Sequence, residues 1–173
     1  IRSGLTQLAL VPRRFVLPLV LLCGLAMVVW GLGSTGLVDE TPPLFAASAR
    51  AMARTGDWLI PRVNGLPRYD KPPLVYWLMG LIYALPGQSQ WDPLGTWAAR
   101  LPSALSTVGM MLVLAATLQR WPQPLPAGRL PSTSQQGITA LSAALAFALS
   151  PLVLIWSRVA VSDALLTGLL GGV

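Results

Sequence analysis

The chain has no histidine, a single cysteine and a single lysine among 173 residues. Only 10% of its residues are charged, where a soluble domain carries about 25%. Without histidine it has no imidazole base, no Ser-His-Asp triad and no histidine-ligated zinc. With Cys23 alone, no disulfide closes within the chain. Chemistry is left to carboxylates, arginine, lysine, tyrosine and backbone groups. A bound metal would take oxygen ligands and be a hard cation such as magnesium; no metal ligand set is evident. The shortage of charge, beside 54% hydrophobic residues, points to a membrane protein.

What is present is a series of uncharged runs: Phe15 to Val38, Leu101 to Leu118 and Ile138 to Ser157. Each is near the length of about 20 apolar residues that a spanning helix needs. A fourth run, Ala164 to Val173, reaches only about 15 Å as a helix. It reads as the start of a fourth span, so the sequence reads as the amino-terminal piece of a longer protein. Arg13 and Arg14 precede the first run as they would in a signal peptide. The run is long for that, and no small-x-small cleavage site closes it, so an uncleaved anchor is expected.

The expected fold is an all-α membrane protein: a multi-span helical bundle with a large first extracytoplasmic loop. Residues 1–14 form a cytoplasmic lead, 15–38 the first span and 39–100 the loop. Residues 101–118 are the second span, 119–137 a proline-rich cytoplasmic loop and 138–157 the third span. Residues 158–163 connect outside to the fourth span, 164–173. Within the large loop, Thr41 reads as an N-cap and Pro42 as the first position of a helix over about 42–55. Phe45, Ala49 and Met52 share one face of it, Arg50 and Arg54 the other, and Gly56 stops it. That pattern suits a helix lying on a membrane surface. Asn64-Gly65 and Pro67 carry turn chemistry. Residues 72–85 are apolar but short, roughly 21 Å as a helix, and read as a second juxtamembrane or re-entrant element. If they span instead, every later orientation flips.

The net charge is +6, and the stretch Asp39 to Trp77 holds four of six acids and five of twelve cations. No basic stripe lies on a soluble module, so nucleic acid is not an expected partner. With the amino terminus inside, Arg50, Arg54, Arg62, Arg68, Lys71 and Arg100 all lie outside, against the positive-inside expectation. Anion binding would account for them. Asp39-Glu40 stands where the first span leaves the membrane. An acid there is either a water-facing helix end or a functional group. A partly desolvated aspartate would have a raised pKa and suit a general base. Lys71 adjoins Asp70 and two stiffening prolines, and either snorkels or holds a lipid phosphate. Asp163 follows Ser162 at a helix start, where it would complement the helix dipole or supply a second carboxylate at the same face.

The combination is more telling than its parts. Asp39-Glu40, then TGDWLIPRVNGLPRYDKPPLVYWL, then WAARLPSAL leading into a span, resembles the GT-C-type membrane glycosyltransferases that use polyprenyl-phosphate sugars. The nearest sets are the bacterial aminoarabinose-lipid A transferases and the protein O-mannosyltransferase superfamily. The resemblance covers about residues 10–170. It implies a multi-span helical fold whose first external loop bears juxtamembrane helices. It also implies a catalytic aspartate matching Asp39, a second functional one matching Asp163 and a phosphate-engaging lysine matching Lys71. Glu40 and Tyr69 would support them. One departure stands out. Relatives often carry an arginine and a tyrosine soon after the DE pair, and here the arginine position is Pro42. A phosphate contact there would come instead from Arg62 or Arg68.

The function implied is transfer of a sugar from an undecaprenyl or dolichyl phosphate to a lipid or protein acceptor, with inversion. It would run on the extracytoplasmic face of a bacterial inner or plasma membrane. Beyond donor, acceptor and membrane lipids, no cofactor is certain; a divalent cation is an open option. The rival from another class is a transporter or a lipid-phosphate-binding subunit without turnover. A transporter would place charge inside its spans. The complete spans here are uncharged, which favours the transferase.

Overall fold

A computed structural model describes residues 12–37, 40–88, 96–124, 128 and 130–172. In chain order these form α1 (Arg13–Val28), α2 (Thr41–Thr55), β1 (Arg62–Val63), β2 (Leu66–Pro67), α3 (Leu74–Tyr83), α4 (Trp97–Arg120), α5 (Thr133–Leu149), α6 (Pro151–Trp156) and α7 (Ser162–Gly171). The described chain is mainly helical, and α4 is the one described helix long and apolar enough to cross a membrane.

Two larger apolar clusters organise it, and a third (Val28, Leu32, Ala104 and Val108) joins the end of α1 to α4. In the first, α1, α4 and α5 pack side by side through stripes spaced four residues apart. Helix α1 buries Val16, Val20, Gly24 and Val28. Helix α5 buries Gly137, Ala140, Ala144 and Ala148. Four-residue spacing keeps side chains on one helix face, and small ones let helix axes approach closely. Arg13 donates to the carbonyl of Gln119 at 2.9 Å. The start of α1 therefore meets the end of α4, and the two helices run antiparallel.

The second cluster joins α2, α3 and the first turn of α4. Phe45, Ala49 and Met52 of α2 pack on Val75, Tyr76, Met79 and Tyr83 of α3 and on Ala98 and Ala99 of α4. Phe45 and Tyr76 stack with ring centroids 5.2 Å apart. Burying Phe45, Met52 and Met79 stabilises by roughly 1.5–3 kcal/mol each. The apolar face of α2 is thus covered by protein rather than left for lipid. Its end matches the sequence pattern: Gly56 adopts φ +75° and its N–H reaches the carbonyl of Met52 at 2.9 Å. At its start Thr41 is already helical, and Glu40 holds the capping position without a capping side-chain bond.

Elsewhere the helix limits differ from those expected. Helix α1 ends at Val28 rather than Val38, because the following Gly-Leu-Gly-Ser-Thr-Gly run turns, with Gly31 at φ +64°. Helix α4 begins at Trp97, so Arg100 lies inside its first turn. The run from 138 to 157 divides between α5 and α6 at Ser150 (φ −58°, ψ 126°). Pro151 lacks an N–H for the ladder and disfavours a helical residue before it. Helix α5 also starts early, at Thr133, under a reciprocal cap between Ser132 and Gln135.

Candidate functional site

The charged loop and the 158–163 connection meet at one end of the bundle. Ala160 and Leu165 belong to the same buried cluster as Phe45, Tyr76 and Ala98. Ser103 of α4 donates to the carbonyl of Val161 at 3.1 Å, and Ser106 to that of Ala164 at 3.0 Å. Gly168 allows this approach, since a Cβ there would collide with the Ser106 hydroxyl. The start of α7, the start of α4, the end of α1 and the α2–α3 region therefore share one end. Arg13 and Gln119 mark the other.

Asp39 lies outside the described residues. The chain ahead of it, as far as Gly36, is held by side-chain donors from α4 and the 158–163 connection. Arg100, buried, donates to the carbonyl of Leu32 (2.9 Å), the hydroxyl of Thr35 (2.9 Å) and the carbonyl of Gly36 (2.7 Å). Thr96 donates to the carbonyl of Thr35 at 2.7 Å. Arg158 donates to the carbonyls of Met27 (3.3 Å) and Trp30 (2.8 Å). Met27 lies in the last turn of α1, and carbonyls left over at a helix C-terminus carry partial negative charge, which suits the Arg158 guanidinium. Glu40, next in sequence, is exposed at the head of α2.

Beyond α2, the chain makes a tight hairpin. Asn64 and Gly65 take φ +52° and +82°, the left-handed pair that a two-residue Asn-Gly turn requires. Ahead of it, one oxygen of Asp57 accepts from the N–H groups of Leu59 (3.2 Å) and Ile60 (3.3 Å), and the other from Arg62 Nε (3.5 Å). The Ile60 and Leu59 N–H groups, and then Arg62, hold the Asp57 carboxyl below its ordinary range. After the hairpin, Arg68 grips Asp70 with two bonds of 2.6 Å each, and its guanidinium lies 5.7 Å from the Phe45 ring centroid. The Tyr76 hydroxyl donates to Asp70 at 3.4 Å. Arg68 accordingly pulls the Asp70 carboxyl down, and Asp70 raises the Arg68 guanidinium in turn.

Lys71 follows directly. It is exposed and has no hydrogen-bond or ion-pair partner among the described residues. Tyr69 is also exposed, at 76%. Asp163 sits in the first turn of α7, with the Ser162 hydroxyl 3.4 Å away. It opens onto a cavity of about 250 Å³ between α4, α6 and α7, lined also by Ser106, Thr107, Phe147, Trp156 and Ser157. Lys71 and Asp163 share an end of the bundle, but no bond joins them. Arg62 and Arg68 are separated in their roles: Arg68 is held by Asp70, whereas Arg62 lines a recess against α2. Among the described residues, no three acidic or thiol groups gather as a metal site.

The residues that sequence reasoning underrated are Arg100, counted there only as a loop cation, and Arg158, given no role of its own. The signal was available for Arg100. It is the one charge in WAARLPSAL, a run that otherwise leads straight into an apolar span.

No family model matches the chain. Curated relatives do. An undecaprenyl phosphate-alpha-4-amino-4-deoxy-L-arabinose arabinosyl transferase of Pseudomonas savastanoi is 32% identical over 117 residues, 68% of this chain and 18% of the relative. One from Pseudomonas fluorescens is 32% identical over 114 residues, 65% of this chain and 20% of the relative. An uncharacterized protein of Aquifex aeolicus is 38% identical over 85 residues, 49% of this chain and 18% of the relative. Among solved structures, ArnT from Cupriavidus metallidurans bound to undecaprenyl phosphate superposes with a TM-score of 0.71 at 26% identity. The match covers 89% of this chain and 25% of that one. Its apo form gives 0.69 at 28%, covering 88% and 25%. The chain is thus homologous to part of these aminoarabinose transferases, as the motif string suggests. It spans about a fifth of the length of the curated relatives it matches.

Proposed function

We propose that this chain, homologous to part of the undecaprenyl-phosphate aminoarabinose transferases, forms the donor-phosphate side of a membrane glycosyltransferase. The protein would cross the membrane several times and carry its charged end on the extracytoplasmic face. The sugar donor is a polyprenyl phosphate, and the acceptor is a lipid or protein hydroxyl.

One observation carries the reading. Lys71 is an exposed ammonium with no partner among the described residues, at the end of the bundle where Glu40 heads α2 and Asp163 opens α7. An exposed ammonium beside Pro72 and Pro73, fixed where α3 begins, is placed to take an anionic headgroup. The relatives named for undecaprenyl-phosphate chemistry support the same assignment.

The step is a direct displacement. An oxygen of the acceptor hydroxyl attacks the anomeric carbon, and its proton passes to Asp39. The bond from that carbon to the phosphate oxygen breaks, and its electron pair stays on the phosphate. Lys71 stabilises the charge that develops there, in place of a general acid. Arg68, locked to Asp70, fixes the chain one residue ahead of Lys71. Attack from the side opposite the phosphate inverts the anomeric carbon. Asp163 supplies the second carboxylate, with Glu40 and Tyr69 in support.

Asp39→Asn in the full-length protein should lower sugar transfer by on the order of a hundredfold or more, the range of a lost general base. Transfer at the parental rate would remove Asp39 from the mechanism. Lys71→Ala should lower kcat at least as much as it raises the KM for the polyprenyl-phosphate donor, because the charge it stabilises develops only as the bond breaks. Donor that binds normally but never turns over in the parent protein would favour a lipid-phosphate-binding subunit instead.

A further inference from the structure

Three arginines line one recess. Arg50 and Arg54 stand four residues apart on α2, and Arg62 faces them from the hairpin. With Thr55, Asn64 and Gly65 they bound a space of about 290 Å³, open to solvent on one side. Neither Lys71 nor Asp163 lines it.

Two of these arginines, Arg54 and Arg62, have donors to spare. Like charges four residues apart on a helix repel. Arg54 has no hydrogen-bond or ion-pair partner among the described residues. Arg62 reaches Asp57 at 3.5 Å and the carbonyl of Gly65 at 3.4 Å, both at the long limit for a bond. Asp57 is meanwhile occupied by the Leu59 and Ile60 N–H groups. A guanidinium held by two long contacts is free to exchange them for a better acceptor. The recess has room for about ten waters by volume, enough for a phosphate and the first atoms esterified to it.

We infer that Arg54 and Arg62, with Arg50 behind them, form a second anion site for a phosphate-bearing ligand. It is distinct from the donor headgroup at Lys71. Planar guanidiniums converging from a helix and a hairpin match the spread of phosphate oxygens, which two of them can engage with paired bonds. The ligand is either the phosphate of an anionic lipid or free phosphate. The site stands whether or not the chain belongs to a transferase, since nothing in it uses Asp39 or Lys71.

The test is native mass spectrometry of the full-length protein in detergent, equilibrated with dioleoyl phosphatidic acid and, separately, with dioleoyl phosphatidylcholine. The parent should retain one more phosphatidic acid than the double variant Arg54→Gln/Arg62→Gln, and no extra phosphatidylcholine. Apparent affinity at that site should fall about tenfold for each arginine removed. Arg14→Gln/Arg120→Gln removes the same charge at the opposite end, where both side chains are exposed, and should retain lipid as the parent does. Arg54→Gln alone, at an exposed position, provides a variant that leaves the Asp57 contact intact. Equal retention by the parent and the recess variants would overturn the site. So would equal loss in the Arg14/Arg120 control, because the effect would then be net charge alone. Displacement of the retained lipid by millimolar inorganic phosphate identifies a site for phosphate itself; retention identifies a lipid headgroup site.

Discussion

Two groups of cations lie at the same end of this molecule and are held in opposite ways. Arg100 and Arg158 are turned inward onto four backbone carbonyls and one hydroxyl at the end of α1, with no carboxylate partner among the described residues. Arg62, Arg68 and Lys71 lie on the hairpin and the segment between it and α3, paired with acids or, for Lys71, with no partner among the described residues. The first group spends its donors on the fold. In the second, Lys71 and Arg62 keep donors available, while Arg68 is held by Asp70. A buried guanidinium cannot release its acceptors without leaving carbonyls unsatisfied, whereas an exposed pair holds by about 1 kcal/mol or less. In the reading proposed here, the inward pair holds the chain that follows α1 as far as Gly36, and of the outward set Lys71 meets the donor and Arg62 the second anion.

The strongest test of that division is Arg100→Met in the full-length protein. It removes the donors to Leu32, Thr35 and Gly36 at once and should destabilise by on the order of 3 kcal/mol. Thermal unfolding in detergent reads this directly. Arg100→Lys restores one charged donor but not the fork, and should recover only part of the loss. If Arg100→Met unfolds at the same temperature as Arg54→Gln, the buried group is no more structural than the exposed one, and the comparison fails.

How much of this could be read in advance follows the same division. The face of α2 was legible, because Phe45, Ala49 and Met52 recur at helical spacing and are buried. The Asn64-Gly65 turn and the stop at Gly56 were legible, because left-handed backbone has few residues to choose from. The early end of α1 was not, because an uncharged run shows greasiness and not conformation; the glycines after Trp30 decide it. The break at Ser150 was marked by Pro151, yet the apolar run concealed it. At the site, Lys71 and Asp163 were named by their motif surroundings, and their common end depends on contacts such as Ser103 with Val161, 58 residues apart. The recess was illegible for the same reason: Arg62 meets the α2 arginines only after the chain folds back through Asp57 and the hairpin.

A smaller effect tests the outward group from within. Asp70 has its folded pKa below the ordinary 3.8, chiefly through the paired bonds from Arg68. A depressed carboxylate stabilises the fold above its unfolded pKa and loses that contribution as pH falls through the folded one. The parent should therefore melt above Asp70→Asn at neutral pH, and the gap should close as pH drops below 3.8. Because the Asp70 side chain is 45% exposed, solvent screens the pair and the gap should amount to about 1 kcal/mol or less. It should also shrink in high salt. The Arg100 effect should change with neither, since its acceptors are uncharged carbonyls and a hydroxyl that do not titrate. A pH-independent gap at Asp70 would mean that shape rather than charge holds Arg68 in place. The outward group would then be as rigid as the inward one, and Lys71, one residue on, would owe its position to packing alone.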